Sequence, residues 1–117
     1  MKVGKLRAIL RVLRDKAPTD HPVRVRRRPL PKSTSNGKKV IECGYATFCD
    51  DHYNIVVNSN LTAAEQEETL IHEYAHAVAF PKQRGSGEHD RTWGIAYAAV
   101  WRAYLSKIEV EDGDVET

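Results

Sequence analysis

The sequence predicts a single α+β domain made of an N-terminal helix, a small sheet and two further helices. Three observations support it: residues 3–16 are amphipathic at helical spacing, residues 22–58 are rich in strand-forming residues, and residues 62–106 carry helical patterns. The 117-residue chain, 41% hydrophobic and 29% charged, can form one core without disulfides. We expect the domain to span residues 1–108 and residues 109–117 to form an acidic, disordered tail.

The N-terminal part is predicted to form a helix and then a strand. In residues 3–16 apolar residues recur every three or four positions, which places on one face Leu6, Ile9, Leu10 and Leu13. Residues 22–30 alternate valine with arginine, as in a half-buried strand, and Pro29 and Pro31 end this segment.

The middle of the chain is predicted to complete a small antiparallel sheet of three to four strands. Asn36-Gly37 is a turn signal. Residues 39–48 and 53–58 are rich in β-branched and aromatic residues and flank a polar segment, which predicts a hairpin.

Two helices are predicted in the second half. Thr62 and Glu65 have the spacing of a capping box, and Pro81 cannot continue a helix, so the first of these helices covers residues 62–80. After a glycine-containing connection, the last helix begins near Asp90, where aromatic residues recur at three- and four-residue intervals.

The segment His72-Glu73-Tyr74-Ala75-His76 carries the strongest functional signal in the chain. Residues i and i+4 share a helix face, so both imidazoles can reach one Zn²⁺ at about 2.0–2.1 Å. Glu73 projects beside the metal, where it can accept a proton from water. Two surface histidines on an ordinary amphipathic helix would have the same spacing, but the correctly framed helix favours a metal site.

A catalytic zinc needs a third protein ligand. The extended HExxHxxGxxH pattern would require glycine and histidine where the chain has Ala79 and Lys82. A glutamate from the last helix is not available, because residues 91–106 contain no acid.

We expect the third ligand to be His89, which follows His76 after twelve intervening residues. Glu88 and Asp90 are the alternatives, because carboxylate oxygens also bind zinc. Asp90 could instead cap the last helix or orient a ligand imidazole by a hydrogen bond.

The order of these segments resembles the SprT-like zincin metalloproteases over roughly residues 54–105. A basic helix and a small sheet precede His72–Ala77, and a glycine-containing loop leads to His89-Asp90-Arg91-Thr92-Trp93. The resemblance implies a zincin-like minimal domain in which zinc is bound by His72, His76 and His89, Glu73 is the catalytic base and Trp93 is a packing aromatic. The chain has Asp90 where the family usually has glycine, and it lacks the zinc ribbon of many members.

We therefore expect a zinc metalloendopeptidase that acts on a protein or peptide substrate. An extended substrate would pair with a sheet edge, for which the strand Tyr53–Val57 is the candidate. The side chains that could stabilise the oxyanion, each of which also fits a packing role, are His52, Tyr74, Tyr97 and Tyr104.

The charge is strongly asymmetric along the chain. Residues 1–39 contain 13 Lys and Arg against 2 acids, whereas residues 40–117 contain 5 against 14. A contact with DNA phosphates through this basic region is one interpretation, and a solvated surface is the other. The candidate contact residues are Arg24, Arg26, Arg27, Arg28, Lys38 and Lys39. The alternative to an enzyme is a nucleic-acid- or protein-binding module whose zinc is structural.

The composition favours a cytoplasmic protein. No apolar run approaches the roughly 20 residues of a membrane span, and the first residues lack the apolar stretch of a signal peptide. Cys43 and Cys49 have no second pair with which to form a four-cysteine zinc site, so we expect reduced thiols in or near strands.

Overall fold

The computed structural model describes residues 3–82 and 91–116, and these residues confirm the α+β class. The helices are α1 (Val3–Lys16), α2 (Ala63–Ala79) and α3 (Arg91–Glu116). The strands are β1 (Val23–Arg28), β2 (Ser33–Ser35), β3 (Lys38–Val40), β4 (Gly44–Cys49) and β5 (His52–Asn58). A short 3-10 turn, Phe80–Lys82, follows α2.

The main sheet has the strand order β1-β5-β4 and is mixed rather than wholly antiparallel. β4 and β5 form the predicted hairpin, but β1 runs parallel to β5, with Val23 opposite Tyr53 and Arg28 opposite Asn58. This corrects the prediction of an antiparallel sheet. Because Pro29 and Pro31 follow the end of β1, the chain leaves the sheet there and reaches β4 on the far side of β5.

The Asn36-Gly37 turn belongs to a separate two-stranded sheet. It joins β2 to β3, and both residues have positive φ, 51° for Asn36 and 77° for Gly37. That conformation matches the twist of a tight hairpin and suits Asn-Gly. The Asn36-Gly37 signal thus correctly predicts a turn, but this turn does not connect strands of the main sheet.

The core lies between the main sheet and the helices. The apolar face of α1 is buried as its spacing predicts, and its four side chains are each at most 7% exposed: Leu6, Ile9, Leu10 and Leu13. β5 is the central strand, and its three consecutive apolar residues are each at most 1% exposed: Ile55, Val56 and Val57. Each such buried side chain contributes about 1.5–3 kcal/mol of transfer free energy, so the position of β5 is strongly determined.

Helix α2 packs against β4, β5, α1 and α3. Tyr74 anchors it to α1, because its hydroxyl donates to the carbonyl oxygen of Ala17 at 2.8 Å and lies 3.2 Å from that of Leu13. Both carbonyls lie at the C-terminal end of α1, where a helix leaves its last carbonyl groups without N–H partners. The carbonyl of Leu13 also accepts from the N–H of Ala17 at 2.8 Å. Burial raises the pKa of Tyr74 to about 12, so the hydroxyl stays protonated as a donor.

The buried side-chain amides of Asn58, at the end of β5, and Gln66, in the first turn of α2, connect these elements to neighbouring segments. The sequence pattern does not single them out. Asn58 donates to the carbonyl of Glu42 at 2.9 Å and accepts from the N–H of Asn60 at 2.9 Å. Gln66 donates to the carbonyl of Leu61 at 2.9 Å and accepts from Nε of Arg27 at 2.8 Å. Both are at most 2% exposed, so these bonds satisfy groups that would be costly to bury alone.

At its C-terminal end α3 continues to Glu116, through residues for which the sequence predicts a disordered tail. Within residues 109–116, Gly113 is the residue that most strongly disfavours a helix, and one glycine costs a helix only about 1 kcal/mol relative to alanine.

Among residues 3–82 and 91–116, no helix is both long enough and apolar enough to cross a membrane. Cys43 and Cys49 are exposed free thiols.

At Gly44 the backbone of β4 lies very close to its neighbours. A Cβ atom there would lie 2.3 Å from the backbone oxygen of Val56 and 2.7 Å from Cγ2 of Thr69. We expect Gly44→Ala to lower the free energy of unfolding by about 2 kcal/mol or more, because the backbone oxygen cannot move away cheaply. Urea denaturation followed by circular dichroism would measure it.

Gly94→Ala in α3 is the matched control. An added Cβ there meets nothing within 4 Å, so we expect stabilisation of about 0.5–1 kcal/mol from helix propensity. Equal stabilities for the Gly44→Ala variant and the unaltered chain would contradict the close approach of β4 to α2.

The Tyr74 hydroxyl can be tested in the same way. We expect Tyr74→Phe to lower the free energy of unfolding by about 1–2 kcal/mol, because it removes the donor from buried carbonyl groups of α1. Tyr97→Phe, at a partly exposed position, should change it by less than about 0.5 kcal/mol. Indistinguishable losses in the two variants would show that the bond to α1 is not what holds α2.

Candidate metal centre

The capping box of α2 determines the frame of the His72–His76 segment. Oγ1 of Thr62 accepts from the N–H of Glu65 at 3.3 Å, and Oε1 of Glu65 accepts from the N–H of Thr62 at 3.0 Å. The helix therefore begins where the sequence predicts, and the segment falls in its second half. The residues before and after it, including Leu70 and Ala77, are buried against the core, so the face that carries His72 and His76 points away from it.

His72 and His76 share one face of α2, as predicted. Their ring centroids lie 5.1 Å apart and their planes are inclined by 68°. Oε2 of Glu73 lies 3.9 Å from Nε2 of His72, too far for a hydrogen bond. The His72 side chain is 35% exposed and that of Glu73 only 11%, so the carboxylate is held in a more enclosed position than the imidazole.

The first turns of α3 form a wall beside these histidines. The Trp93 ring lies 5.0 Å from that of His72 and 5.4 Å from that of His76. Tyr97 stacks on Trp93 at 4.6 Å, with its own ring 6.0 Å from that of His72. Two aromatic rings one helical turn apart thus cover one side of the candidate site.

The third ligand cannot be placed, because His89, Glu88 and Asp90 lie outside the described residues. In residues 3–82 and 91–116, no group of three or more His, Cys, Asp and Glu side chains could hold a metal ion. The described part therefore contributes the two helix histidines. It also places the start of α3, which follows the residues in question, directly against them.

Of the four side chains considered for an oxyanion, the structure brings Tyr97 close to the histidines, gives two of the others partners elsewhere and places the fourth two turns further along α3. Tyr74 is bound to α1. His52 lies in the β4–β5 hairpin, where its Nδ1 is 2.8 Å from Oδ1 of Asp51, and this contact lowers the pKa of Asp51. Tyr104 follows Tyr97 by seven residues on α3 and packs against Trp101 at 5.6 Å.

The strand proposed for substrate pairing, Tyr53–Val57, is not available for it. These residues belong to β5, which is bonded to β1 on one side and to β4 on the other. The sequence pattern could not reveal this, because a run of apolar residues fits an edge or a central strand until its neighbours are known. The described edges of the main sheet are β1 and β4.

β4 is the edge on the histidine side of α2. Gly44 approaches Thr69, and the Phe48 ring lies 5.3 Å from that of Phe80. Thr69 and Phe80 stand seven residues before and four residues after His76, so all three project toward the same flank of the helix. β4 therefore runs beside the histidine face.

The candidate DNA-contact residues are divided between different surfaces. Arg24, Arg26 and Arg28 alternate along the exposed side of β1, whereas Arg27 points the other way and bonds to Gln66. Lys38 and Lys39 are exposed on β3, in the separate two-stranded sheet.

Comparison with known proteins identifies the family. Residues 18–98, more than half of the chain, match the Peptidase_M78 family, the IrrE N-terminal-like domain. The matched residues include α2 with its two histidines and the first turns of α3. No curated protein and no solved structure matches the chain. Because the match covers more than half of the chain and includes the helix with the two histidines, this chain belongs to the metallopeptidase-like IrrE N-terminal-like domain family.

Proposed function

We propose that this chain is a zinc-dependent metallopeptidase in which His72 and His76 bind the metal and Glu73 is the general base. One observation carries the proposal: both imidazoles lie on one face of α2, and the Glu73 carboxylate is 3.9 Å from Nε2 of His72. The family match to metallopeptidase-like proteins agrees with it.

The donor set fits zinc. Imidazole nitrogens are preferred zinc ligands, and a catalytic site needs three protein ligands and one open position. Two ligands come from α2. For the third we propose His89, as in the SprT-like arrangement, with Glu88 and Asp90 as the carboxylate alternatives. The contact of Trp93 with both histidine rings supports a ligand from this segment, because it brings the chain back to α2 within a few residues of all three candidates.

Zinc bound by these residues would supply a Lewis acid for the scissile carbonyl and for the attacking water. Glu73 accepts the proton of that water on Oε2 while the water oxygen attacks the carbonyl carbon. When the C–N bond breaks, Glu73 gives the proton to the leaving nitrogen. The low exposure of its side chain keeps the carboxylate in one position and shields it from bulk water.

The substrate backbone is proposed to pair with β4. The N–H of Asn58 donates to the carbonyl of Cys43 at 2.8 Å, so in the antiparallel register Tyr45 and Thr47 also bond to β5. The backbone groups of Gly44, Ala46 and Phe48 then point to the open edge beside the histidine face. Backbone pairing of this kind binds extended peptides with little dependence on their sequence. Tyr97, at the opposite wall, is the proposed oxyanion donor.

Glu73→Gln tests the general base. We expect it to retain zinc at one ion per chain and to lose at least about 100-fold in the rate of casein cleavage, because the amide cannot accept the proton. Glu68→Gln, an exposed position on the same helix, is the control and should keep the rate. Cleavage by the Glu73→Gln variant at the unaltered rate would refute the assignment.

Zinc affinity, measured by competition with a chelator, tests the ligands. We expect His72→Ala and His89→Ala to lose affinity to a similar extent, since each removes one imidazole, and His52→Ala to bind as tightly as the unaltered chain. A loss in Glu88→Gln or Asp90→Asn with none in His89→Ala would transfer the third position to a carboxylate. Zinc-edge absorption that shows four protein ligands would favour the binding-module alternative.

A further inference from the structure

A second concave surface lies on the other side of the molecule from the β4 edge, between α1 and β1. This arginine groove has a volume of about 710 Å³, which is within the range of ligand-binding clefts. Its lining includes five arginines: Arg7, Arg11, Arg14, Arg24 and Arg27. The α1 wall of the groove precedes residues 18–98, which match the family, whereas the β1 wall lies within them.

The groove carries positive charge that the described residues do not neutralise. None of the described residues that line it is acidic, and within the described part of the chain none of its arginines is in an ion pair. Arg14 donates to the backbone oxygen of Val23 and Arg27 to the side chain of Gln66, both neutral acceptors. The hydrogen bond with His52 is the main cause of the lowered pKa of Asp51, and the charge of Arg24 makes only the smallest contribution; Asp51 does not line the groove.

Between the arginines the surface is apolar. Leu6 and Leu10 of α1 and Val25 of β1 line the groove beside them. An anion that binds by charge alone, such as inorganic phosphate, would gain nothing from these three side chains.

The groove also contains an open strand edge. The carbonyls of Pro22 and Arg28 accept from the N–H groups of Tyr53 and Ser59, so in this parallel ladder Arg24 and Arg26 bond to β5 as well. The intervening residues of β1 direct their N–H and C=O groups away from β5. Val23 uses its carbonyl for Arg14, whereas among the described residues no strand pairs with Val25 and Arg27 on that side.

We propose that the arginine groove binds an extended acidic peptide of another protein, which adds a strand to the β1 edge. Its backbone would pair with Val25 and Arg27, and its carboxylates would face Arg7 and Arg11 on α1. Its apolar side chains would lie on half-buried Val25 and on the groove floor, where Leu6 and Leu10 are 4% and 7% exposed. The alternating N–H and C=O groups of the open edge match a peptide backbone, whereas a phosphate offers only acceptors. Only two residues of β1 are open, so the affinity is expected in the micromolar range.

This interaction surface is separate from the proposed active site. It uses the β1 edge, whereas the proposed substrate uses β4, and no proposed metal ligand lines the groove. A Glu73→Gln variant should therefore bind the acidic peptide normally, which distinguishes a failure of this inference from a failure of the proposed function.

Fluorescence anisotropy with the full chain and a labelled ten-residue peptide of alternating valine and glutamate tests the proposal. We expect the double variant Arg7→Gln/Arg11→Gln to bind at least ten-fold more weakly. The matched control is Arg26→Gln/Arg28→Gln, which removes the same charge from exposed residues of β1 that do not line the groove, and should change Kd less than two-fold. Equal losses in both double variants would mean non-specific charge attraction and would overturn the proposal.

The peptide itself provides a test that needs no variant. N-methylation of alternate residues removes backbone donors from one side of a strand and keeps every carboxylate. We expect one of the two possible methylation patterns to abolish binding and the other to preserve it. Identical binding of both methylated peptides, or tighter binding of a single-stranded DNA of equal charge, would exclude strand addition at β1.

Discussion

The arrangement of the candidate site depends on the burial of α2 on three sides. The sheet, α1 and α3 all pack against this helix, and Tyr74, which lies between the two histidines in sequence, is bonded to the end of α1. A helix constrained in this way cannot rotate, so the face that carries His72 and His76 is determined by the face that is buried. The core therefore sets the direction in which His72 and His76 leave the helix.

The same constraint explains why the sequence predicts the paired-histidine helix better than the sheet. The capping box, Pro81 and the apolar spacing of α2 are local signals, and each acts within a few residues. The direction of β1 is not local, because it depends on how far the chain travels between Pro29 and Gly44. The central position of β5 likewise depends on two partners that are distant in sequence, so the pattern of Tyr53–Val57 predicts a strand but not its neighbours.

The buried amides show a different limit of sequence reasoning. Asn58 and Gln66 look like ordinary polar residues at a strand end and in a helix turn, yet both are almost completely buried and bonded to loops and to Arg27. Their role follows only from the tertiary contacts. Arg27 differs from the other arginines of β1 because the alternation of the strand directs its side chain toward the helices.

The role of Gly44 in β4 also follows only from tertiary contacts. Gly44 lets the strand lie against Thr69, and this places an open edge next to the histidine face of α2. A side chain at that position would push the strand outward and widen the cleft. The distance between the β4 edge and the histidine face is thus controlled in part by the Cβ atom that Gly44 lacks.

The position of Trp93 has a practical consequence. The centroid of its ring lies 5.0 Å from that of His72 and 5.4 Å from that of His76. Trp101, the other tryptophan, is more than two helical turns further along α3. Because a nearby protonated or metal-coordinated imidazole changes the emission of an indole, the protein contains an intrinsic fluorophore at the place where its chemistry is expected. Its fluorescence spectrum can therefore report on the histidines without any label.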